Sequence, residues 1–137
     1  MRLRRSVAAI ILASSIAACG SPGPMTLDGV TILRHGFMNG YPAALFAGTV
    51  HFREGCVWAD AEGSGETQVM IWPPMSQLEH REGRLVLVVD GIVLEDGDSF
   101  SIGGGQEPPE FARELAGSIP EACVTELYWL GGPDINP

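Results

Sequence analysis

Residues 44–53, ALFAGTVHFR, alternate with a period of two. Phe46, Gly48, Val50 and Phe52 fall on one face, and Ala47, Thr49, His51 and Arg53 on the other, the mark of a half-buried strand. Glu54-Gly55 turns the chain, and Cys56-Val57-Trp58-Ala59 starts a second strand. DAEGSGE, 60–66, is a loop of acids, Gly and Ser. Thr67–Trp72 forms a third strand, which Pro73-Pro74 must stop because proline brings no amide to a ladder. The expected hairpin joins 56–60 to 67–72. Upstream, 27–42 holds one short apolar run, read as a strand at 30–34, and then turn residues.

Residues 84–102, RLVLVVDGIVLEDGDSFSI, contain three β-rich runs separated by Asp90-Gly91 and Asp96-Gly97. Asp-Gly favours tight two-residue hairpins, whose two positions both need positive φ. The stretch predicts a three-strand meander ended by Gly103-Gly104-Gly105. A helix is expected near 109–116: proline at its start, acids in the first turn, Phe111 and Leu115 four apart, and Gly117 to end it. A last strand, VTELYWL, precedes Gly131-Gly132-Pro133.

The pattern therefore predicts a mainly β domain, a small antiparallel barrel of six or seven short strands with one short helix near 109–116. Closing the sheet removes its edges. The barrel could resemble an OB-fold, with one departure: the helix falls before the last strand, where an OB-fold has it after the third.

The first nineteen residues follow another pattern. Arg2, Arg4 and Arg5 precede the apolar stretch Val7–Ala18. That stretch is too short for a membrane span, which needs about 20 residues, but it fits a signal-peptide core. Ile16-Ala17-Ala18-Cys19 then resembles the lipobox of bacterial lipoproteins. The resemblance implies cleavage before Cys19 and a lipid on its sulfur. It divides the chain into a signal peptide at 1–18, a lipidated Cys and flexible tether at 19–26, and a domain at 27–137. Such a lipoprotein carries two or more acyl chains, enough for stable anchoring, on the extracytoplasmic face of a cell membrane or outer membrane. The competing reading is ordinary secretory cleavage near Ser15-Ile16-Ala17, which leaves an odd number of cysteines.

With Cys19 taken by lipid, Cys56 and Cys123 remain, and an oxidising compartment predicts one disulfide between them. The stretch 44–130 also resembles small bacterial lipoprotein domains, with Gly-Cys after the first strand, Trp-Pro ending the third, and a second Cys before a final Tyr-Trp. That likeness brings no activity with it.

Charge narrows the partners. The formal net charge is −9, and all eight basic residues are Arg. From Cys19 onward five Arg face seventeen Asp and Glu, a balance of −12. Phosphate backbones and anionic surfaces repel such a domain, which excludes nucleic acid as a partner.

Candidate chemistry is sparse. Gly103-Gly104-Gly105 precedes a helix as phosphate loops do, but Glu107 and Glu110 occupy the helix start. Glu95-Asp96-Gly97-Asp98 matches no calcium loop. Met70, Trp72, Met75, His51 and His80 supply soft or imidazole donors. The Trp72-x-x-Met75 spacing resembles part of the motif of small periplasmic copper and silver chaperones, although Gln77 stands where a second Met belongs and no His precedes Trp72 at short spacing. The plainer reading packs Met70 and Trp72 in the core. His35, His51 and His80 are scattered, and neither G-x-S-x-G nor H-E-x-x-H occurs. Trp58, Trp72, Tyr128 and Trp129 would offer a binding platform where exposed, with at least half expected in the core.

The sequence thus leads to a membrane-anchored, non-enzymatic binding or structural module of the cell envelope, without cofactor, whose partner is an envelope protein or a small ligand. Copper handling through Met70, Trp72 and Met75 is the first alternative. An enzyme whose site no motif marks is the second.

Overall fold

Four acid-glycine pairs set the hairpins. Asp28-Gly29, Glu54-Gly55, Glu82-Gly83 and Asp90-Gly91 have positive φ at both residues, the two-residue turn whose twist matches that of paired strands. The computed structural model describes residues 22–137; the lipobox and Cys19 lie outside the described residues.

In chain order the strands are β1 (Met25–Leu27), β2 (Val30–Arg34), β3 (Ala44–Arg53), β4 (Cys56–Ala61), β5 (Thr67–Trp72), β6 (Gln77–Arg81), β7 (Arg84–Val89), β8 (Ile92–Leu94), β9 (Ser99–Glu107) and β10 (Tyr128–Asn136). The helix α1 spans Pro109–Ala116, and a 3-10 turn spans Glu121–Cys123. The mainly β class and the position of the helix are as expected. The strands number ten among the described residues, not six or seven.

Five strands close a ring. β3 pairs with β4, β4 with β5, β10 with β9 and β9 with β3, all antiparallel, while β5 and β10 pair in parallel. In order of appearance the ring runs first, second, third, fifth, fourth. That is the Greek-key circuit of an OB-like barrel, but α1 lies between the fourth and fifth ring strands and β6–β8 between the third and fourth. β4 and β5 pair only near Trp58–Asp60 and splay apart beyond it. β2 fills the gap, parallel to both, with Thr31 opposite Cys56 and Arg34 opposite Trp72. The sheet is therefore not wholly antiparallel.

The meander expected over 84–102 is displaced. β6, β7 and β8 form the three-stranded sheet, and β9 leaves it to join the ring. Asp96-Gly97 is not a two-residue hairpin, because only Gly97 has positive φ there. The Asp98 carboxylate accepts from the Glu95 amide and the Asp96 carboxylate from the Phe52 amide, so this turn ties β9 across to β3. Gly103–Gly105 continue β9 instead of ending it, and β10 runs on through Gly131 and Gly132. A side chain would not fit at Gly104 or Gly105. A Cβ on Gly104 would lie 1.7 Å from the Leu130 oxygen.

Strand stagger arranges inward side chains in layers. One layer holds Phe46, Ala61, Gln68, Gly104 and Trp129, the next Gly48, Ala59, Met70 and Ile102, and the third Val50, Val57, Trp72 and Phe100, as the registers dictate. An aromatic column threads them: Trp129 to Phe46 at 5.5 Å, Phe46 to Phe100 at 5.6 Å, Phe100 to Trp72 at 5.5 Å. Leu78, Leu87, Val89 and Leu94 of the small sheet pack into this core. On the outer face, α1 buries Ala112 and Ala116 in a second core with Leu33, Val69, Ile71, Tyr128 and Leu130. Cys56 and Cys123 are disulfide-bonded within it, with Cα atoms 5.4 Å apart. No helix among the described residues is long and apolar enough to cross a membrane.

Candidate functional site

The first layer of the ring opens into a cleft of about 410 Å³, lined by Leu45, Phe46, Ala47, Ala61, Glu62, Gly63, Gln68 and Trp129. Each strand supplies its part by period two. Phe46 enters from the start of β3, Gln68 from the start of β5 and Trp129 from the start of β10. Trp129 is fixed by its indole N–H, which donates to the Gly103 carbonyl at 3.4 Å. Leu45 stands at the rim, 70% exposed. Glu62 brings a carboxylate.

Gln68 is the polar member of the layer, and with Trp58, Trp72 and Ser76 it is one of four described side chains with a buried, unpaired polar atom. It is only 4% exposed, yet its Oε1 is buried with no hydrogen-bond partner. A buried amide oxygen left unpaired costs about 1–3 kcal/mol. Its neighbours in the layer are two aromatic rings, an alanine and a glycine, so the layer offers no donor side chain apart from the committed Trp129 indole; the Trp72 indole N–H, also unpaired, lies two layers deeper. The cleft can therefore take a flat apolar body against Phe46 and Trp129 and a donor group toward Gln68. Glu62 and the acidic balance of the domain favour a neutral or positive ligand over an anion.

A second cleft of about 480 Å³ runs outside β3, β4 and β9, lined by Thr49, Asp60, Glu62, Ser99 and Ser101 among others. Its carboxylates are engaged nearby. Asp60 accepts from Arg53 and Thr67 and faces the His51 Nε2 at 3.2 Å. The His51 Nδ1 lies 3.6 Å from Asp96. His80 pairs with Asp28. His35 is buried, its Nδ1 at 2.6 Å from the Gly36 oxygen and its Nε2 at 2.8 Å from the Gly131 oxygen, so it clasps the end of β2 to β10. The Tyr41 ring packs edge-on against it. Burial, with the Asp90 charge in second place, pushes the Tyr41 phenol up.

The soft donors are not brought together. Met70 and Trp72 are sealed in the core, whereas Met75 is 65% exposed beyond the end of β5. Among the described residues no three His, Cys, Asp or Glu groups converge on a point where a metal ion fits. Gly103–Gly105 lie in mid-strand and cradle no phosphate. Of the four aromatics considered as a platform, Trp72, Tyr128 and Trp129 are buried and Trp58 is half-buried. The exposed rings are Phe37 and Phe111. Sequence reading missed Gln68 and Phe46 as site residues. A polar residue on the inward side of an otherwise apolar strand, Gln68 before Met70 and Trp72, was the available signal.

Neither a protein-family model, a curated protein nor a solved structure matches this chain.

Proposed function

We propose that this chain is a lipid-anchored envelope module that binds a compact ligand at the open end of its strand ring. Two separate features support the reading. The lipobox-like Ile16-Ala17-Ala18-Cys19 supports anchoring through Cys19. The unpartnered Gln68 oxygen, in a cleft walled by Phe46 and Trp129, supports ligand binding and is the observation that carries it. The ligand has a flat apolar body, at least one N–H or O–H donor, and no negative charge.

Native mass spectrometry of the full-length protein extracted from its own membranes tests the reading. The expected mass starts at Cys19, includes a diacylglyceryl group, lacks two hydrogens for Cys56–Cys123, and carries a retained small molecule that Gln68→Leu loses. An unlipidated mass starting elsewhere refutes the anchor. A lipidated mass that never retains a small molecule counts against the cleft.

A further inference from the structure

The entry of the chain into the fold is clamped. Arg34, at the end of β2, donates from Nε to the Gly23 oxygen at 2.9 Å, from Nη2 to the Pro22 oxygen at 3.2 Å and from Nη1 to the Ser76 oxygen at 3.4 Å. Pro22 and Gly23, inside the stretch expected to be tether, are thus held to the body. β2 and β5 are parallel, with Arg34 opposite Trp72, so both strands end on the same side. Phe37 lies three residues past Arg34 and Met75 three past Trp72. They are 80% and 65% exposed. The clamped tether and the two segments that carry these apolar side chains therefore follow strand ends on one side of the ring, at the end of β5 opposite Gln68.

Tether length supplies the occupant of this surface. This inference rests on the reading of Cys19 as the lipid attachment point. Only Gly20 and Ser21 separate Cys19 from Pro22, a reach of about 11 Å at full extension. A body of this length has a radius of gyration of about 13 Å. A tether shorter than the radius of the body it holds keeps that body against the bilayer, on the face where the tether leaves it. We infer that the Phe37–Met75 end is a membrane-docking surface: both side chains enter the lipid interface, and the Gln68 cleft points away from it. Arg34 acts here as a positioning residue, fixing the direction in which the tether leaves. Uncharged interfacial lipid is the fitting surface, because the acidic body is repelled by anionic headgroups.

The test supplies the anchor chemically. The chain Cys19–Pro137 holds every contact described above and, with its disulfide closed, has one free thiol, which is coupled to a maleimide lipid in phosphatidylcholine vesicles. Phe37→Trp, Met75→Trp and Leu45→Trp place reporters at the two ends of the ring, and brominated lipid quenches tryptophan at the interface. Quenching in excess of the parent protein is expected to be about threefold greater at 37 and 75 than at 45, since interfacial side chains sit at the headgroup and acyl boundary. Equal quenching at all three positions overturns the proposal. Amide exchange on the unsubstituted coupled protein is a second readout, with slowing expected at 36–38 and 74–77 and no slowing there contradicting it. Because the coupling is chemical, these results stand whatever the native mass says of Cys19.

Discussion

The ring centroids of Phe46 and Trp129 lie 5.5 Å apart with the planes tilted by 53°, in the same layer as Gln68, whose amide oxygen nothing in the protein engages. This juxtaposition separates stability from binding. Gln68→Leu keeps the side chain's bulk and removes the unpaired oxygen, so the free protein gains about 1 kcal/mol in urea unfolding. A ligand that needs the amide loses affinity in the same variant. A variant that is less stable than the parent would show that Gln68 is already satisfied.

Backbone approach limits two glycines. Gly104→Ala places a Cβ 1.7 Å from the Leu130 oxygen, at a φ of +140°. Gly48→Ala places one 2.1 Å from the Asp60 oxygen. Both variants are expected to lose about 3 kcal/mol or to fail to fold. Gly40→Ala meets nothing within 4 Å, and its thermal midpoint should stay within about 1 °C of the parent.

The Cys56–Cys123 disulfide spans 67 residues, and the chain-entropy argument gives it about 4 kcal/mol. It also joins the start of β4 to the 3-10 turn before β10. Cys56→Ala with Cys123→Ala should lower the urea midpoint and steepen the slope, because the unfolded chain without its cross-link exposes more surface. An unchanged midpoint in the double variant would remove the disulfide from the account of stability.

Glu107 ends β9 just before α1. Burial raises its carboxyl above the ordinary 4.5. The folded state then binds its proton more tightly than the unfolded chain does. Glu107 therefore favours folding most below 4.5, and that contribution is lost as pH rises through its raised folded value. Glu107→Gln should melt higher than the parent at neutral pH, with the difference vanishing in acid. A difference that grows in acid contradicts the sign.

Local patterning made most of the ring readable. β3 alternates along its length, Pro73-Pro74 stops β5, and the flanking proline and glycine delimit α1, so these elements lie where periodicity and turn chemistry put them. The misplaced elements depend on partners distant in sequence. β6, QLEHR, has one buried side chain, Leu78, and becomes a strand by pairing with β7. Gly103–Gly105 look like a break, yet they lie in mid-strand, and at Gly104 and Gly105 neighbouring backbone and the Pro42 ring leave no room for a Cβ. Asp28-Gly29 and Glu82-Gly83 carry the same acid-glycine signal as Glu54-Gly55 and Asp90-Gly91, and mark the turns that end β1 and β6. In the site, Met70 and Trp72 share a face with Gln68, but only ring closure decides which layer opens to solvent. The Arg34 clamp was hidden too, because its acceptors are backbone carbonyls, which leave no mark on sequence.

The proposed function requires the ring's open end to bind ligand through Gln68, Phe46 and Trp129 and to reject negative charge. The most direct measurement follows the Gln68 side-chain amide and the Trp129 indole N–H by NMR while phenethylamine, and in parallel phenylacetate, is added to the disulfide-bonded protein. The amine should move both signals saturably, with an effect at least about tenfold weaker in Gln68→Leu, and the carboxylate should move neither. Equal shifts with both probes, or none with the amine, would contradict the claim.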